Sequence, residues 1–151
     1  MHKNSNPFTP AINLYFALEA SLTMMQKEGL NNIFNRHTRH KKATQEGIKA
    51  MGLNLFAKEG FGSPAITAVQ PKNIDAESIR KSIKNDFDIL LAGGQDHLKG
   101  KIFRIGHLRF VNDRDIISVI SALESTLEKM GKLQAPIGQG LSKSIEALNK
   151  G

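Results

Sequence analysis

The sequence predicts an α+β domain: a small, mostly antiparallel sheet covered by helices on one face and preceded by a long apolar helix. Two observations carry this. Helix and strand signals alternate irregularly, in the order helix, helix, strand, strand, helix, strand, strand, helix, which suits a helix layer on a small sheet. The strand candidates are short, rich in branched and aromatic residues, and closed by Gly or Pro. The chain has 151 residues, 40% apolar and 23% charged, enough for one domain with a real core.

In order, Thr9-Pro10 reads as an N-cap with proline at the first helical position. The helix then runs to about Glu28, with Gly29 as its C-cap. Ile12, Leu14, Tyr15, Phe16, Leu18, Leu22, Met24 and Met25 go nearly all the way round it. A helix apolar on every side is shaped to be buried. Only eight residues precede Thr9, so the expected cover is an upstream domain or another subunit.

A second helix spans about Asn31 to Met51. Leu53 to Ala57 opens the sheet, and Ala65 to Val69 alternates as a second strand before Pro71. Asp75 or Asn73 caps a short helix through Ile79 and Ile83. Phe87 to Ala92 reads as a third strand ending at Gly93-Gly94, and Lys101 to Leu108 as a fourth. Asn112 or Asp113 caps an amphipathic helix that runs to Met130. From Gly131 the glycines and Pro136 mark a linker. The expected organisation is therefore an N-terminal segment with an inter-domain helix over 1–29, a small domain over 30–130 and a flexible tail over 131–151.

There is no cysteine, which excludes disulfides and thiolate chemistry. The first seven residues lack the apolar core of a signal peptide, and Ala11 to Met25 is too short and too interrupted for a membrane span, so a cytoplasmic protein is expected. A formal charge of +7 raises nucleic acid or an anionic small ligand as a partner, with one local cluster from Arg36 to Lys42. A run of this kind is usually a solvated helix surface. His37 and His40 have no third ligand at a companion spacing, so a metal is not expected and His37 reads as a satisfied packing histidine. Gly93-Gly94 lacks the pattern of a phosphate loop, and no serine has a nucleophile-elbow context.

Arg104 is the anomaly. It sits among Ile102, Phe103, Ile105 and Leu108, where an always-charged guanidinium needs a reason. Either it lies on an edge strand, facing water or a carboxylate, or it is a planar fork held to take a carboxylate or phosphate bidentately. Periodicity leaves both open.

Phe8-Thr9-Pro10-Ala11-Ile12-Asn13-Leu14, Gly29-Leu30 followed by Arg36-His37, Ala50-Met51-Gly52-Leu53, Pro64 to Val69 and Gly100 to Leu108 resemble, in that order, the class V aminotransferases. The branch is that of the alanine–glyoxylate and serine–pyruvate enzymes, including cyanobacterial sequences labelled as a soluble hydrogenase small subunit. The most specific piece is Gly100-Lys101-Ile102-Phe103-Arg104-Ile105-Gly106. The resemblance covers about residues 8 to 130 and implies the C-terminal part of a fold type I pyridoxal-phosphate enzyme. It implies that Arg104 grips the substrate α-carboxylate, and that Thr9 reaches the cofactor phosphate of the neighbouring subunit in a homodimer. It also implies an amino acid and a 2-oxo acid, such as glyoxylate or pyruvate, as substrates. The large domain with the Schiff-base lysine is not in this chain, so no catalytic residue is assigned and the chain alone is expected to be inactive. The family usually has glycine where this chain has Arg109. The competing expectation is a basic, non-enzymatic module binding nucleic acid or protein.

Overall fold

The computed structural model describes residues 6 and 8–150. Its elements are α1 (Ile12–Glu28), α2 (Leu30–Ala50), β1 (Asn54–Leu55), β2 (Ile66–Gln70), α3 (Ala76–Phe87), β3 (Ala92–Gly93), β4 (Phe103–Gly106), α4 (Asp113–Lys129) and α5 (Gln139–Asn149). The chain divides into two compact units, with the boundary in sequence between Phe34 and Asn35 of α2.

The first unit contains α1, which has no buried residue. The sequence places its N-cap at Thr9, but the helix begins at Ile12, and Ala11 occupies the cap position without a side-chain hydrogen bond. Ile12 N donates to the Pro10 carbonyl at 3.0 Å, so the proline belongs to a turn before the helix. Among the described residues, no helix is long and apolar enough to cross a membrane.

The second unit is α+β. Its sheet has the order β1-β2-β4-β3 with every pair antiparallel. Alternation decides the two faces. Thr67, Val69, Phe103 and Ile105 are buried on one, and their neighbours Ala68, Arg104 and Ala92, opposite each other in register, share the half-open other. The buried face packs in one core with Ile79 and Ile83 of α3 and Ile116, Ile120, Leu123 and Leu127 of α4. Asp75 caps α3 by accepting from Ser78 N, and Asn112 caps α4 in a capping box with Asp115.

Three expectations are corrected. β4 is an interior strand between β2 and β3, not an edge. The stretch from Phe87 to Ala92 is not a strand: Phe87 ends α3, and Asp88 closes that helix in the left-handed conformation at φ 54°. On that side of the sheet, Ala92–Gly93 alone pairs with β4.

The expected flexible tail is instead α5, which buries Gly140, Ser144, Ala147 and Leu148. Gly140 and Gly47 allow a close approach. A Cβ on Gly140 would press on Met51, and one on Gly47 would press on Ile120 and the Gly140 carbonyl. The N-terminus of α5 is fixed by Glu124, which is 2% exposed and accepts from Gly140 N at 2.8 Å. Glu124→Ala leaves that amide without its partner and opens a cavity. It is expected to lower unfolding free energy by about 2–3 kcal/mol, read from denaturant melts.

Candidate functional site

Arg104 lies in the middle of β4 on the half-open face. Its Nε donates to the Gly93 carbonyl at 3.0 Å. Among the described residues, its two terminal nitrogens have no hydrogen-bond or carboxylate partner. The guanidinium is thus tethered at its root and open at its fork, as bidentate carboxylate recognition requires. Thr9 is exposed and belongs to the first unit, whereas Arg104 belongs to the second.

The basic cluster from Arg36 to Lys42 is mostly spent inside the fold rather than solvated. Arg39 makes a bidentate pair with Asp113, both bonds 2.8 Å, and reaches the Leu148 carbonyl at 3.2 Å. Arg36 Nη1 donates to the carbonyls of Arg109, at 2.8 Å, and Val111. Lys41 Nζ donates to the Gly62 carbonyl at 2.6 Å. Lys42 alone of the four is exposed, which leaves little of a phosphate-binding face. A cleft of about 360 Å³ opens beside Lys41, Lys49 and Lys58, and Arg104 is not in its walls.

Three histidines sit near this node. His40 is fully buried, and its Nε2 lies 2.8 Å from Asp113 Oδ1. Burial lowers its pKa against the pull of Asp113. A neutral ring facing a carboxylate must carry its proton on Nε2, which leaves Nδ1 buried without a partner among the described residues. Asp113 is itself held below the ordinary carboxylate range, chiefly by Arg39. His37, expected to be satisfied, has its Nε2 buried and unpartnered among the described residues. No three metal-binding side chains among the described residues converge.

His107 is fully buried and its Nε2 is 3.0 Å from Thr67 Oγ1. Burial is the main cause that pushes its pKa down to about 4; the Pro64 carbonyl opposes the shift, and the neighbouring His40, His37 and Lys41 add to it. Because the folded value lies below the ordinary 6.5, the unfolded chain takes up the proton first. Stability is fully present above pH 6.5 and is lost as pH falls towards about 4. The loss expected from this residue is roughly 3 kcal/mol. Urea melts at pH 7 and pH 4.5 should show it, and His107→Asn should flatten the difference; an equal slope in that variant contradicts the assignment.

Arg109, on the loop after β4, has φ 67°, a left-handed conformation that suits glycine. Arg36 holds its carbonyl in place, so the loop cannot relax by turning that peptide. Arg109→Gly should therefore raise stability by about 0.5–1 kcal/mol in thermal melts.

The fold is that of an aminotransferase part. It superposes on ureidoglycine–glyoxylate aminotransferase of Bacillus subtilis with TM-score 0.88 and 32% identity, covering 94% of this chain and 37% of that one. It superposes on pyridoxamine–pyruvate aminotransferase of Mesorhizobium loti with TM-score 0.90 and 26% identity, over 98% and 38% of the two chains. In sequence it is 52% identical to the soluble hydrogenase small subunit of a Synechococcus strain, over 97% of this chain and 38% of that protein. It is 38% identical to serine–glyoxylate aminotransferase of Arabidopsis thaliana, over 83% and 32%. No family model matches. The chain belongs to the class V aminotransferases and corresponds to a C-terminal part of them. It spans little more than a third of the curated relatives it matches.

The family depends on pyridoxal phosphate. A lysine that holds this cofactor must be desolvated to be nucleophilic. Every described lysine is exposed except Lys41, which is half-buried and engaged with Gly62. The described residues therefore do not fit covalent attachment of the cofactor.

Proposed function

We propose that this chain is the substrate-binding C-terminal part of a pyridoxal-phosphate aminotransferase that moves an amino group from an amino acid to a 2-oxo acid such as glyoxylate or pyruvate. The observation that carries this is the Arg104 guanidinium, anchored through Nε to Gly93 with its terminal nitrogens open on an interior strand. Arg104 takes the α-carboxylate through two parallel N–H···O bonds. Half-burial strengthens the attraction, and the rigid sheet keeps the fork from rotating. The names of the relatives support the substrate class, since serine, ureidoglycine and glyoxylate all present a carboxylate.

Two further assignments rest on the family resemblance. Thr9 supplies a hydroxyl to the cofactor phosphate of the neighbouring subunit in a dimer, and the apolar residues of α1 pack on the large domain. Without a lysine fitted to hold the cofactor, the chain by itself performs no transamination.

The test has two arms. The purified chain, given pyridoxal phosphate, serine or alanine and glyoxylate, should turn over no faster than the free cofactor does; saturable turnover above that background contradicts the proposal. In an enzyme completed with a large domain of the same family, Arg104→Gln should raise the KM for the amino acid on the order of 100-fold. An unchanged KM removes Arg104 from the substrate site.

A further inference from the structure

The tether that aims Arg104 is a backbone carbonyl on a very short strand. β3 has two residues, lies at the sheet edge, and pairs with β4 only through Ala92 and Gly93, extended by Gly94 N to the Ile102 carbonyl at 3.1 Å. Two residues of edge strand have little rigidity of their own. Something else must hold Gly93 if its carbonyl is to hold Arg104.

That support comes from α3. Arg80 Nε donates to the Leu91 carbonyl at 2.8 Å, just before β3, and Arg80 Nη1 pairs with Glu77 one turn earlier on the helix. Both side chains are largely covered, at 24% and 30% exposure. The pair packs directly on Gly93: a Cβ there would lie 2.7 Å from Arg80 Nη1 and 2.9 Å from Glu77 Oε1. On the far side of β3, a Cβ on Gly94 would run into the Leu98 carbonyl. The strand is therefore pressed between the α3 pair and the turn after it. An ordinary surface pair three residues apart on a helix requires neither the bond to Leu91 nor the contact with Gly93.

We propose that Arg80, braced by Glu77, is a positioning residue for Arg104, acting through Leu91 and Gly93 of the β3 edge. The inference rests on the reading of Arg104 as the carboxylate-binding group, but the mechanical link can be measured without it. When Arg80 is removed, β3 loses its support and the Gly93 carbonyl moves. Arg104 Nε then loses its acceptor, and the fork rotates away from one fixed direction. Mispositioning a binding group in this way weakens substrate capture more than it slows later steps.

The experiment uses the whole chain labelled with nitrogen-15, following the Nε–H signal of Arg104, which is assigned by its loss in Arg104→Lys. In Arg80→Ala the exchange of that proton with water should rise about tenfold, the effect of one lost hydrogen bond from a charged donor. The amide protons of Phe103 and Ile105 should keep their protection. Arg80→Lys, which can still reach the Leu91 carbonyl, should fall between. Unchanged Arg104 exchange in Arg80→Ala overturns the proposal.

If Arg80→Ala loosens the amides of the whole sheet, Gly93→Ala decides, since its methyl presses first on the ends of Arg80 and Glu77. Faster Arg104 exchange there with intact amides supports the link, and unchanged exchange overturns it. In the completed enzyme, Arg80→Ala should raise the KM for the amino acid about tenfold and leave kcat within about twofold. A fall confined to kcat contradicts a positioning role. Should Arg104→Gln leave that KM unmoved, the carboxylate reading fails, while the exchange result for the Arg80 link stands separately.

Discussion

Asp113 is the point on which the second unit turns. Its carboxylate takes both arms of Arg39 and the Nε2 proton of His40, so two side chains of α2 converge on one residue at the start of α4. Arg39 also reaches the Leu148 carbonyl near the end of α5, which draws a third helix into the same node. Such a cluster is expensive to bury, and a charged pair seldom adds much net stability against an apolar substitute. What it contributes is direction. Asp113 sits at 44% side-chain exposure while His40 sits at zero, so the charge stays near water and the neutral ring goes inside. That division avoids an unpaired buried charge and still fixes where α4 begins.

The site depends on this placement. α4 starts just after the loop that leaves β4, and Arg36, one helical turn before His40 on α2, holds the carbonyls of Arg109 and Val111 in that loop. The C-terminal end of β4 is therefore gripped by α2, as the β3 edge beside it is gripped by α3. Arg104 lies between those two grips. A strand held at both margins can carry a guanidinium on its open face without folding it back onto a local carboxylate. The strained φ of Arg109 fits the same picture, because the loop keeps its shape even though the residue in it is not glycine.

Much of the fold was legible because its signals are local. Asp75 and Asn112 cap the helices that their positions promise, and Pro71 ends β2 where a missing N–H would interrupt the ladder. The misreadings have separate causes. Phe87 to Ala92 is a largely apolar run, interrupted by Asp88, with strand composition, yet Ile79, Ile83 and Phe87 repeat at a spacing of four, and the helix takes the run's first residue. β4 passes for an edge until β3 is seen to pair with it, and no pattern inside β4 reveals a neighbour of two residues. α5 was hidden because small residues, Gly140, Ser144 and Ala147, carry much of its buried face. Hydrophobic periodicity weighs a glycine or a serine as nothing, while close packing uses the space they leave.

The candidate site divides along the same line. Arg104 was visible as a chemical anomaly, since a guanidinium among branched residues violates the strand pattern and has to be explained. Its tether to Gly93 was not visible, because a backbone carbonyl has no letter in the sequence. Nor was the internal use of Arg36 and Arg39, which composition alone assigns to the surface. Those two arginines account for a good part of what looked like a basic patch. Charge counted along a chain measures only how many cations there are. Whether they bind a partner or the protein itself is settled by the carbonyls and carboxylates that folding brings to them, and here folding brings Asp113 and the backbone of the β4–α4 loop.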